Sequence, residues 1–276
     1  MLKRILVAVV FVPLLLAIML FAPPIVWAVV VALISGLAAY ELLRATGRGK
    51  VTAPMQGVAV LSAIVIPLWQ GLGYTWQIGF PCAFIVTAVA FWCAIRAYDG
   101  EQTRTGFFQV LLTVFSGVLM PLALSTLVTL MGMESGRYLV LLAVLLAFVT
   151  DAGAYFAGVF LGRHRGITKV SPNKSLEGYI GGFLVGVIFA VAYGAVIGRI
   201  TDLAVNYLSL ALCGFVGALA TELGDLSFSF IKREYGVKDY GHLLPGHGGM
   251  LDRFDSMFFC APVVLFLVSC LPAFMR

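Results

Sequence analysis

The stretch from Glu222 to Asp255, ELGDLSFSFIKREYGVKDYGHLLPGHGGMLDRFD, leaves one apolar segment through Lys232-Arg233. It crosses a polar, glycine-rich loop and enters the next apolar segment at Asp252-Arg253-Phe254-Asp255. Six of the chain's 13 acidic residues, four of its 18 basic residues and two of its three histidines lie here. The remainder is far more apolar. Of 276 residues, 61% are hydrophobic and 11% are charged, and the mean hydropathy is +1.03. A soluble domain carries about 25% charged residues. This chain cannot cover itself with a polar surface, so the sequence predicts an all-α polytopic membrane protein.

Outward from that stretch, nine apolar segments are each long enough to cross about 30 Å of hydrocarbon. They are 4–21, 24–43, 54–72, 77–97, 106–131, 137–160, 178–199, 203–231 and 254–274. Lys3-Arg4 before the first segment resembles the start of a signal peptide, but no A-x-A site separates it from the second, so it is read as a retained span. With the N-terminus inside, 15 of the 18 basic residues fall on the inner side. Arg137, Arg199 and Arg276 fall outside. This bias predicts a cytoplasmic N-terminus and an external C-terminus in the cell membrane. It also explains the net charge of +5 without nucleic acid as a partner. Residues 1–135 form an N-terminal scaffold of five spans. Residues 136–276 hold four spans and the two longest inner loops, about 161–177 and 232–253. Cys82, Cys93, Cys213, Cys260 and Cys270 stand singly in apolar runs and suggest neither disulfides nor zinc.

Acids inside spans need a reason. Asp151, Glu222 and Asp225 would together cost roughly 7–10 kcal/mol at a bilayer centre. They must be paired, protonated, near the surface or lining a wet cavity. The blander alternative is a polar network that locks helices together. Glu222, Asp225, Ser229 and Lys232-Arg233 step by three or four residues and share one helical face. Asp252 and Asp255, three apart, open the last segment, where acids also serve as helix caps. Hard oxygen ligands point to Mg²⁺ rather than zinc.

Between these acids, Gly248-Gly249 offer backbone N–H groups that could cradle a phosphate; a plain turn is the alternative. Lys232, Arg233, Lys238, His247 and Arg253 supply positive charge. His247 is equally open as a phosphate donor, a general acid or a structural residue. Ser171, Asn173 and Lys174 precede a helix starting near Gly178, as an anion site or a solvated basic loop would.

Three runs carry a resemblance. Ser229-Phe230-Ile231-Lys232-Arg233, then Lys238-Asp239, then Leu244-Pro245-Gly246-His247-Gly248-Gly249-Met250-Leu251-Asp252-Arg253-Phe254-Asp255 is similar to the signature of the phosphatidate cytidylyltransferases, or CDP-diacylglycerol synthases. SPNKSLEG at 171–178 resembles the family's S-P-x-K-S/T-x-E-G segment, and TDAGAYFAG at 150–158 its D-x-G-A-Y-x-x-G segment. The resemblance is specific over about 150–255. Phe228 departs from it, since bacterial members commonly carry Glu there.

The resemblance implies the reaction CTP + phosphatidic acid → CDP-diacylglycerol + pyrophosphate, assisted by Mg²⁺. A second divalent ion, a monovalent ion and a homodimer are left open. It implies Asp225, Asp252 and Asp255 as metal ligands, with Lys232 and His247 joining them as catalytic residues. Substrate contacts fall to Ser171, Asn173, Lys174, Ser229, Arg233, Lys238, Gly248, Gly249 and Arg253. The site would face the cytoplasm. A lipid kinase and an anionic-lipid transporter are the rival readings. Polar residues on one face only argue against transport, which needs access from both sides.

Overall fold

The computed structural model describes residues 2–73, 76–100, 105–243 and 248–275, with backbone alone for 2–10 and 76. It is a multi-pass membrane protein built almost wholly of helix. The helices are α1 (Leu2–Phe21), α2 (Pro24–Thr46), α3 (Ala53–Gly71), α4 (Trp76–Asp99), α5 (Phe107–Val114), α6 (Met120–Gly132), α7 (Gly136–Phe160), α8 (Leu176–Ile200), α9 (Tyr207–Glu234), α10 (Leu251–Phe254) and α11 (Met257–Cys270). A π-helical stretch, Phe115–Leu119, joins α5 to α6, so the fifth predicted span is one continuous helical rod. Among the described residues, eight helical segments are long and apolar enough to cross a membrane, and α1 supplies helix over the first predicted span.

Two boundaries differ from the hydropathy reading. The eighth span starts at Tyr207 and runs on to Glu234. The ninth is broken by a turn at Asp255-Ser256, because Ser256 and Asp255 spend polar groups on each other and on α7 instead of continuing one helix.

The chain forms two compact units. The first comprises 1–129 and 234–254. Its helices α2, α3, α4 and the α5–α6 rod pack side by side, and α10 rests on α2. Small residues allow the closest approaches: a Cβ on Gly117 would lie 2.8 Å from Ala59 Cα. The indole of Trp27, fully buried, donates to Leu127 O at 3.2 Å.

The second unit comprises 130–233 and 255–276 and holds α7, α8, α9 and α11. Along α8, Gly178, Gly182 and Gly186 recur every four residues and so share one face. That face lies against α7, where any Cβ would meet Ala154 or Thr150. This is the small-residue packing expected where no hydrophobic effect drives helices together. The helix ends sort into two groups. At one end, two-residue strands β1 (Ala204–Val205) and β2 (Phe274–Met275) pair antiparallel. There too, Tyr193 donates to Tyr138 O at 2.8 Å and Ser209 to Leu271 O at 2.6 Å. At the other end, the α9 terminus and the loop before α8 meet, with Arg233 Nε donating to Val170 O at 3.3 Å. The up-and-down alternation read from the basic residues therefore holds within this unit.

Candidate active site

The polar cluster of the second unit is set by three local features. Ser175 caps α8, its Oγ accepting from Gly178 N–H at 3.1 Å, which places Lys174 at the helix mouth. Gly224 lets α9 approach α11: a Cβ there would lie 3.0 Å from Ser256 Cα. Lys232 and Arg233 end α9, where cations suit the helix dipole.

Lys174 Nζ bridges Glu222 Oε2 at 2.7 Å and Asp225 Oδ2 at 2.6 Å. Burial works against its charge, but Asp225 and then Glu222 outweigh it and hold the ammonium above the ordinary lysine range. Its Nζ also lies 5.2 Å from the Tyr179 ring centre. The other oxygen of Glu222, Oε1, is buried with no hydrogen-bond partner. A little way on, Lys232 Nζ lies 4.0 Å from Asp255 Oδ2. Asp255 Oδ1 accepts from Ser256 N–H at 2.8 Å, and Ser256 Oγ donates to Asp151 Oδ2 at 2.8 Å. Two lysines and four carboxylates thus share one end of this unit. Ser171 and Asn173 stand in the loop leading to Lys174, with Asn173 exposed. Ser229 is half-buried on α9, and Arg233 is exposed at its end.

The remaining expected residues belong to the first unit. Asp252 Oδ2 accepts from Tyr240 N–H and from Gly249 N–H, both at 2.9 Å, and so ties its own loop together. Gly248 has φ of +83°, a conformation that L side chains rarely adopt. A Cβ on it would also lie 2.9 Å from Asp252 Oδ2. Lys238 and Arg253 are exposed. His247 lies outside the described residues.

Sequence reasoning passed over two residues here. Glu41 is buried in α2, and its carboxylate accepts from Met250 N–H at 3.0 Å and Leu251 N–H at 2.8 Å. Its signal was available, as it is the only acid in the second apolar segment. Ser256 was readable as a hydroxyl next to Asp255 at a helix start.

The chain shows 39% identity over 136 residues to the phosphatidate cytidylyltransferase of Bacillus subtilis, covering 49% of each chain. It shows 42% over 135 residues to that of Staphylococcus epidermidis, covering 49% of this chain and 50% of the relative. The corresponding Staphylococcus aureus protein is 40% identical over 135 residues, with the same coverage. The chain spans about half the length of the curated relatives it matches.

Nucleotidyl transfer goes with a divalent metal in general, and the donor chemistry here fits one. The clustered acids offer hard oxygen atoms, with the buried Glu222 Oε1 still unpartnered. As they stand, no three His, Cys, Asp or Glu side chains among the described residues gather closely enough to hold an ion; Lys174 lies between Glu222 and Asp225 instead. The family model for cytidylyltransferases matches residues 2–271, nearly the full sequence, and the chain belongs to the cytidylyltransferase family.

Proposed function

We propose that this protein transfers the cytidylyl group of CTP to phosphatidic acid, giving CDP-diacylglycerol and pyrophosphate at the cytoplasmic face of the cell membrane. The observation that carries the reading is the lysine–carboxylate cluster of Lys174, Glu222 and Asp225, set in a chain of the cytidylyltransferase family. The named relatives support phosphatidic acid as the acceptor. The excess of basic residues on the inner loops supports the cytoplasmic orientation. Catalytic chemistry falls to residues 136–276, and 1–135 serve as scaffold.

Two polyanions must come together, so positive charge is the first requirement. Lys174, Lys232, Arg233, Lys238 and Arg253 supply it, with Lys174 and Lys232 already held by carboxylates. Ser171, Asn173, Ser229, Gly248 and Gly249 offer hydroxyl, amide and backbone donors to phosphate oxygens. An oxygen of the lipid phosphate attacks the α-phosphorus, a new P–O bond forms, and the α–β bridging bond breaks. The electron pair leaves with pyrophosphate. The nucleophile is already an anion, so the protein's work is orientation and charge stabilisation. Asp225, Asp252 and Asp255 would hold Mg²⁺, which neutralises triphosphate charge when bound. By the family resemblance, His247 would serve as a phosphate donor or a general acid.

The site assignment is tested by Asp225→Asn, Asp252→Asn and Asp255→Asn, each assayed in folded protein across a range of Mg²⁺ concentration. Each should lose turnover by about a hundredfold or more. Full activity in any one removes that residue from the metal set.

A further inference from the structure

The glycine-rich loop and α10 are fastened from within the first unit by a residue on a distant helix. Glu41 is 5% exposed. Both of its carboxylate oxygens are used, Oε1 accepting from Met250 N–H at 3.0 Å and Oε2 from Leu251 N–H at 2.8 Å. These two amides open α10, and Leu251 and Met250 are themselves buried. The surrounding glycines fit the same purpose. A Cβ on Gly249 would come within 2.6 Å of Glu41 Cδ, and one on Gly241 within 2.8 Å. Gly241 and Gly249 both approach the carboxylate at a distance that only glycine permits. The residue next to the clamped pair is Asp252, whose Oδ2 gathers Tyr240 N–H and Gly249 N–H.

We propose that Glu41 is a positioning residue: its carboxylate clamps the backbone at 250–251 and thereby fixes Gly248, Gly249 and Asp252 in the geometry they present to substrate. The substrate role of that loop rests on the cytidylyltransferase reading above; the clamp itself does not. Two charge-assisted hydrogen bonds from backbone N–H hold more strongly than neutral ones. They also compensate a buried carboxylate that would otherwise be unfavourable in an apolar helix.

Glu41→Gln tests this with no change of shape. The amide keeps one acceptor and turns an N–H₂ toward a backbone N–H, so one hydrogen bond is lost and two donors oppose each other. Full-length protein in lipid nanodiscs is followed by amide hydrogen exchange without substrate. Exchange in peptides covering 248–252 should quicken by about tenfold or more, the effect of losing one charge-assisted bond. Peptides from α8 and α9 should match the unmodified protein. Exchange at 248–252 within about twofold of the unmodified protein, in folded Glu41→Gln, overturns the clamp.

Should Glu41→Gln fail to fold, Glu41→Asp keeps both acceptors one methylene short. Quickening confined to 248–252 supports the clamp in that variant, while uniform quickening or none overturns it. Exchange is read independently of turnover. A loosened loop in a chain that never uses CTP leaves the clamp and refutes the reaction. An active chain whose loop is unmoved by the substitution refutes the clamp and leaves the reaction.

Discussion

Lys174→Met isolates the electrostatics of the cluster. Methionine keeps most of the side chain's length and removes an ammonium 2.7 Å from Glu222 Oε2 and 2.6 Å from Asp225 Oδ2. Breaking a buried ion pair from one side costs about 3–5 kcal/mol, because the partner charge is left unpaired. Here the Lys174 and Asp225 side chains are 24% and 26% exposed, so water recovers part of the loss and about 2–4 kcal/mol is expected. At about 2–4 °C per kcal/mol for a chain of this size class, melting should fall by about 4–16 °C. The assay is thermal unfolding in detergent followed by a thiol-reactive dye, since Cys82, Cys93, Cys213 and Cys260 are buried and become reactive only on unfolding. The combined variant Lys174→Met, Glu222→Gln, Asp225→Asn removes the stranded charges and should return to within about 1 kcal/mol of the unmodified protein. A single variant that melts unchanged, or a combined variant no better than the single one, refutes the reasoning.

Phe228 is fully buried, its ring 5.1 Å from that of Phe258, so Phe228→Glu should cost about 3–5 kcal/mol in the same melt, and unchanged melting would contradict the packing. Gly224→Ala should cost about 1–3 kcal/mol, because its new methyl meets the backbone of Asp255 and Ser256; a neutral result would mean that α9 and α11 are not so close. Single cysteines at Ile167 and Asp202, in a chain otherwise free of cysteine, should react with an impermeant maleimide from opposite sides of the membrane. Labelling from the same side would overturn the alternation of α7, α8 and α9.

The spans were legible because hydropathy is a local property. A run such as LVGVIFAVAYGAVIG in α8 declares itself from its own residues. Breaks were less legible. Ser256 interrupts the last span through a hydrogen bond to Asp151, 105 positions away, and no local pattern announces that partner. The acids were visible as costs to be met, but not how they are met. Lys174 reaches Glu222 across 48 positions, and in sequence it reads as one lysine of a basic loop. The return of 234–254 to the first unit was invisible for the same reason. There Glu41 meets two backbone amides more than 200 positions away. The motif residues thus suggest the chemistry from sequence alone, while the residues that hold them are set by contacts that only the fold creates.

The most direct test follows label from CTP into lipid. Purified protein is given phosphatidic acid and Mg²⁺ with CTP labelled either at the α- or at the γ-phosphate. Cytidylyl transfer predicts α-label in the chloroform-soluble lipid and γ-label in aqueous pyrophosphate. Label from the γ-phosphate in the lipid, or no label from either in folded protein, would contradict it.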